Sequence, residues 1–170
     1  MNKGALAELF YREIAKVDQN GELDHGEKIK ALHHLLGLLF VEVTKRERIH
    51  FSTLFARIAY AGHQYGLPKR LLFYLHHFRM GARRALQAGI RSKGGQVEEE
   101  EWEILYQLGL KVLVESVGEL LQAPLPAGLG LTVSREWPGQ VSPVEIRAFR
   151  PWARVVALED DPAARQLLVR

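Results

Sequence analysis

Between Leu67 and Gly95 the chain reads LPKRLLFYLHHFRMGARRALQAGIRSKGG, with seven Lys and Arg residues and no Asp or Glu. Cations at that density, with a phenylalanine and histidines among them, can neutralise successive phosphates and offer a ring to a base or sugar. On a helix turning about 100° per residue, Arg70, His77, Arg84 and Arg91 form one nearly straight row. Lys69, His76 and Arg83 fall on the same polar side. Leu71, Leu75, Phe78, Ala82, Leu86 and Gly89 form the apolar stripe opposite. Phe73 and Met80 stand in the middle of the polar arc, where a merely solvated face would rarely place them.

This pattern makes Lys69, Arg70, Arg83, Arg84, Arg91 and Lys93 candidate phosphate contacts, with His77 beside them and Phe73 as a stacking platform. The surroundings agree: from Lys45 to Lys93 there are eleven Lys and Arg residues against the single acid Glu47. The expected partner is nucleic acid, DNA or RNA, held through its backbone. A rival partner for the same face is an acidic protein surface in an assembly. The run EEEEWE that follows, Glu98 to Glu103, suits the first turn of a helix, where the dipole favours acids. Folded back, it would neutralise the basic row.

No other constellation carries chemistry. His33-His34 and His76-His77 are adjacent pairs, pointing about 100° apart on a helix, and neither has a carboxylate at ligand spacing. Asp24-His25 reverses the His-Asp order of metal-dependent phosphohydrolases. DQNGELDHGEKI has Leu23 and Ile29 where a calcium loop needs Gly and Glu. There is no G-x-x-x-x-G-K-[ST] loop and no G-x-S-x-G elbow. No catalytic residue, metal or cofactor is expected, and the chain contains no cysteine.

The elements that must position the basic face are helical. Leu6, Leu9, Phe10, Ile14 and Val17 give residues 4–17 a helical period. Asp24 caps a second helix reaching about Arg46, whose wide apolar arc marks it as central. Ser52 is the expected cap of a third helix carrying Leu54, Phe55, Ile58 and Ala59. Gly66 and Pro68 read as a stop and a start, and the basic helix runs from Pro68 to Gly89. A fifth helix spans about 97–122. The fold class is therefore mainly α, a bundle of about five helices over residues 1–122.

Prolines and glycines over 123–143 read as a linker. Beyond it, VEIRAFR alternates as a strand does, and RVVALEDDPAARQLLVR reads as two strands joined by an Asp-Asp-Pro-Ala turn, giving a short β element over 144–170. A lone hairpin is marginal, so this element is expected to pack on the helices or to begin a longer chain. With 170 residues, 47% of them hydrophobic, the chain can bury a real core. No stretch approaches the ~18 uninterrupted apolar residues of a membrane span, and the amino terminus lacks a secretory pattern. The expected location is cytoplasmic.

The stretch HFSTLFARIAYAGHQYGLPKRLLFYLHHFRMGARR, within residues 1–122, resembles the helical amino-terminal region that precedes the motor in some bacterial superfamily 1 helicase-like proteins. That resemblance implies an accessory module of a nucleic-acid machine. The ATPase motifs of such motors are missing from this chain, so motor activity is not implied for it.

Overall fold

The structure, a computed structural model, describes residues 2–91 and 99–137, without the side chains of 88–91. Five helices follow one another: α1 (Lys3–Gln19), α2 (His25–Thr44), α3 (Leu54–Gln64), α4 (Lys69–Arg91) and α5 (Glu99–Leu121). Short polar side chains start three of them by accepting an orphan backbone N–H. Asn2 accepts from Ala5 and Asp24 from Glu27. For α3 the cap is Thr53, whose hydroxyl accepts from Ala56, and not Ser52 as expected. Both hydroxyl residues suit the role, and the chain's path after Phe51 decides which stands three residues before the N–H.

Gly66, at φ +65°, ends α3, and the Leu67 N–H reaches back to the Gly62 carbonyl at 3.0 Å. This is the backbone turn that a glycine without a Cβ closes at no steric cost. The Leu72 N–H already donates to the Pro68 carbonyl at 3.0 Å, so α4 starts directly at the proline.

Two helices form the centre. α2 touches all four others, and α5 touches α1, α2 and α4. Ile29, Leu32, Leu36, Leu39 and Phe40 of α2 are fully buried together with Leu110, Val112, Leu113 and Val117 of α5. α4 runs antiparallel to α5: Phe78 sits at Gly109, and Gly81, three residues further along α4, meets Leu105, four residues earlier on α5. Leu32 of α2 closes on the same point, so three helices converge at Gly109.

Residues 122–137 contain no helix or strand, yet they lie on the bundle. Gln122 turns the chain out of α5 at φ 53°. The Tyr11 hydroxyl then donates to the Ala123 carbonyl at 2.6 Å, and Gln19 to the Leu129 carbonyl at 2.6 Å. Lys111, only 3% exposed, donates to the Ser134 carbonyl at 2.7 Å. Its ammonium also lies 4.8 Å from the ring centre of Trp137, which stacks on Tyr74 at 4.5 Å. The remainder of the expected linker, to 143, and the β element over 144–170 lie outside the described residues. Among the described residues, no helix is long and apolar enough to cross a membrane.

Two of the helical glycines on the central pair, Gly37 and Gly109, should respond oppositely to alanine. A Cβ at Gly109 would stand 2.5 Å from Phe78, whereas one at Gly37 meets nothing within 4 Å. Gly37→Ala should therefore stabilise the fold by about 0.5–1 kcal/mol through helix propensity. Gly109→Ala should destabilise it by about 1–3 kcal/mol through overpacking. Urea unfolding of the two variants checks the opposite signs.

Candidate nucleic-acid interface

The cations of α4 divide between the interior and the surface. Its buried stripe holds Leu71, Leu75, Phe78 and Ala82, as the sequence pattern predicts, and also Tyr74 and Ala85. Two residues of polar type join it. Arg79 is 6% exposed, with its guanidinium 5.0 Å from the Phe55 ring centre. His76, assigned by projection to the polar side, is 9% exposed, with its ring 4.7 Å from Phe55. The cause is α3, which lies beside the first half of α4 and covers the flank carrying Leu72, His76 and Arg79. A single-helix projection contains no information about a second neighbour.

Lys69, Arg70, His77, Arg83 and Arg84 are exposed. Among the described residues, no carboxylate forms an ion pair with Lys69, Arg70, Arg83 or Arg84. Of the run Glu98 to Glu103 expected to threaten this face, Glu99 turns toward α2. Glu99 pairs with His25 of α2 at 2.8 Å. Glu47, the single acid of the basic region, accepts from the hydroxyls of Tyr60 at 3.0 Å and Tyr65 at 2.8 Å. Lys45 is paired with Glu42 at 2.7 Å, and Arg57 donates to Thr44 at 2.8 Å, so these two belong to the structure of the α2–α3 corner. Arg91 is placed by its backbone only, at the end of α4, and Glu98 and Lys93 lie outside the described residues.

Phe73 and Met80, which projection puts in the middle of the polar arc, are half-buried, and Phe73 packs against the core. Phe73 meets Tyr74 edge-on at 5.3 Å, and its ring is nearly parallel to that of exposed His77, 23° apart in plane and 6.3 Å between centres. Phe73 thus has one side against the fold and an aromatic companion at the surface. The start of α4 is electrostatically unusual. Lys69 and Arg70 occupy a first turn that holds no acid, at the positive end of the helix dipole, where a cation costs about 0.3–1 kcal/mol. Backbone N–H groups and two cations there concentrate positive potential in one place.

The positive field extends inward. Burial foremost, then Arg79, His34 and Arg83, lower the pKa of His33 on α2. Burial foremost, then Arg79, push His76 down to about 4. A cleft of about 650 Å³ opens between the amino ends of α2 and α5 and the later part of α4. It is lined by Asp24, His25, Glu27, Glu99, Leu86 and Trp102 among others. Its acidic lining separates it chemically from the basic face, and no pattern in the sequence announces it. Among the described residues, no group of three potential ligands could hold a metal ion. No protein-family model, curated protein or solved structure matches the chain.

His76 makes the fold sensitive to mild acid. Its unfolded pKa is near 6.5 and its folded value about 4, so between these the unfolded chain binds a proton that the native state excludes. This contribution to stability is fully present above pH 6.5 and is lost progressively as pH falls toward 4. Between pH 7 and 5, native protein should lose about 2 kcal/mol more stability than His76→Phe, which keeps an aromatic ring against Phe55. Parallel urea titrations at the two pH values measure the difference.

Proposed function

We propose that this domain binds nucleic acid through the phosphate backbone, without catalysing a reaction, using the outer face of α4. The observation that carries the reading is the set of four exposed cations, Lys69, Arg70, Arg83 and Arg84, with no ion-paired carboxylate among the described residues. Two of them stand where the helix dipole opposes them, and a locally unfavourable choice of residue is typical of a surface kept for binding. Arg91 and Lys93 continue the basic run in sequence. An accessory module of a nucleic-acid machine is also what the resemblance to the region preceding superfamily 1 helicase-like motors implies.

The same face could receive an acidic protein surface, and half-buried Phe73 and Met80 give that alternative its apolar component. Salt dependence and oligonucleotide binding separate the two. Each phosphate contact adds to the slope of log affinity against log salt, whereas a module that only meets protein shows no oligonucleotide binding.

Arg70→Glu with Arg84→Glu should weaken binding to every oligonucleotide sequence by tenfold or more and flatten the salt slope by about 1.5. Arg70→Glu alone should leave the thermal midpoint unchanged or slightly higher, because it puts an acid in the first turn of α4. Fluorescence anisotropy across a salt series, with circular dichroism melts, reads both effects. Unchanged affinity for both DNA and RNA in the double variant refutes the proposal.

A further inference from the structure

The junction of α3 and α4 is a tight turn between two closely packed helices. Four residues, Tyr65 to Pro68, join them. Gly66 takes the left-handed φ of +65°, and the Leu67 N–H closes the turn on the Gly62 carbonyl at 3.0 Å. Leu67 itself is buried, which anchors the turn in the core. Near the end of α3, Gly62 has no room for a Cβ, because the Leu72 side chain of α4 fills that place. Ile58 and Ala61 of α3 are buried, as are Leu71 and Leu75 of α4. α2 packs on both helices. The Tyr65 hydroxyl lies 3.1 Å from the Val43 carbonyl oxygen and 2.8 Å from the Glu47 carboxylate, so the turn is tied to the end of α2. Two helices joined by a short glycine-containing turn and backed by a third are the parts of a helix-turn-helix.

In that motif the second helix lies in the major groove of DNA with its amino-terminal residues at the base edges. The side chains of α4 are distributed as that position requires. Lys69, Phe73 and Met80 fall within about 40° of one another around the helix. Arg70 and Arg84 lie to one side of them and Arg83 to the other. The central strip would face the floor of the groove. There the ammonium of exposed Lys69 suits the O6 and N7 of guanine, and the outer edges of half-buried Phe73 and Met80 can meet thymine methyl groups without leaving their packing. The arginines on the two sides would face the phosphate walls. An α-helix with its side chains is about 10–12 Å across, and the major groove of B-DNA is about 12 Å wide. In an A-form RNA duplex the major groove is deep, narrow and closed to side chains. A groove-reading helix therefore separates the two duplexes, whereas a purely electrostatic contact with the backbone does not.

We infer that α3 and α4 form a helix-turn-helix that sets the amino-terminal end of α4 in the major groove of duplex DNA, with Lys69 at the base edges and Arg70, Arg83 and Arg84 on the phosphates. This rests on the nucleic-acid reading above and names its substrate class. The test begins with selection from a pool of randomised DNA duplexes by the full chain. Fluorescence anisotropy then compares the enriched duplex with a scrambled duplex, the RNA duplex of the enriched sequence and its single DNA strand. Each probe is titrated with native protein and with Lys69→Ala, which alters only an exposed side chain.

Selection should enrich a short sequence motif, and native protein should bind that duplex about tenfold or more tightly than the other three probes. Lys69→Ala should weaken binding to the enriched duplex about fivefold or more and relax the motif at one base pair, with a severalfold smaller effect on the scrambled duplex. Absence of any motif, equal affinity for the DNA and RNA duplexes, or tighter binding to the single strand overturns the groove reading and leaves backbone binding intact. A motif that Lys69→Ala leaves unaltered overturns the placement of the amino end of α4 at the bases. Binding to none of the probes overturns the nucleic-acid reading itself.

Discussion

The seating of Phe78 at Gly109 sets the orientation of the basic helix. A helix with cations on one side and leucines on the other can, by hydrophobicity alone, rotate by tens of degrees and still bury most of its apolar stripe. A ring placed where α5 has no side chain, with Leu32 of α2 closing on the same glycine, removes that freedom. Close-packed interiors transmit such constraints rigidly. With Phe78 pointing inward, Arg70, His77 and Arg84 must point outward, and the spacing between the two arginines becomes a fixed dimension of the surface. Gly81 against Leu105 repeats the constraint one turn further along.

Arg79 and Arg83 show that residue type does not decide exposure on this helix. They are one turn apart, yet Arg79 is sealed against Phe55 while Arg83 is in solvent. The boundary between them is the amino end of α3. A guanidinium can be accommodated inside because it is weakly hydrated and its plane stacks on an aromatic ring. Its charge adds to burial, the larger cause, in lowering the pKa of His33 and His76.

Local signals were the legible part of the fold. The period of α1, the cap at Asp24, the Gly66-Pro68 boundary, the central place of α2 and the orientation of the core-facing stripe of α4 all follow from neighbours in the sequence. What was hidden involves partners far along the chain. Projection cannot bury His76, because its cover comes from Phe55. The prolines and glycines after Gln122 do exclude a helix, but nothing local shows that Tyr11, Gln19 and Lys111 hold the backbone of residues 123–135 against the bundle. Lys111 looks like an exposed lysine in the sequence, and becomes a buried anchor only when Ser134 and Trp137 arrive. For the candidate interface the balance is similar. The exposed row was readable from a spacing of seven, whereas the pairing of the Phe73 and His77 rings depends on rotamers that spacing leaves open.

The distribution of the acids gives the face its polarity along α4. Because α4 and α5 are antiparallel, the glutamates that begin α5 lie level with the last turns of α4, where Leu86 and Glu99 line a common cleft. Arg70 is about 20 Å from that level along the helix, roughly twice the ~8–10 Å over which exposed charges act at physiological salt. The first half of α4 is therefore screened from the acids of α5, while the second half feels them in part. The strongest uncancelled potential lies at the amino end, where the helix dipole adds to Lys69 and Arg70 and where the Phe73–His77 pair begins. A polyanion approaching this domain is drawn first to the end of the helix that carries the rings, and only then lies along the row toward Arg84. Lower salt lengthens the reach of the α5 acids and weakens that asymmetry, so the polarity of the face belongs to physiological ionic strength.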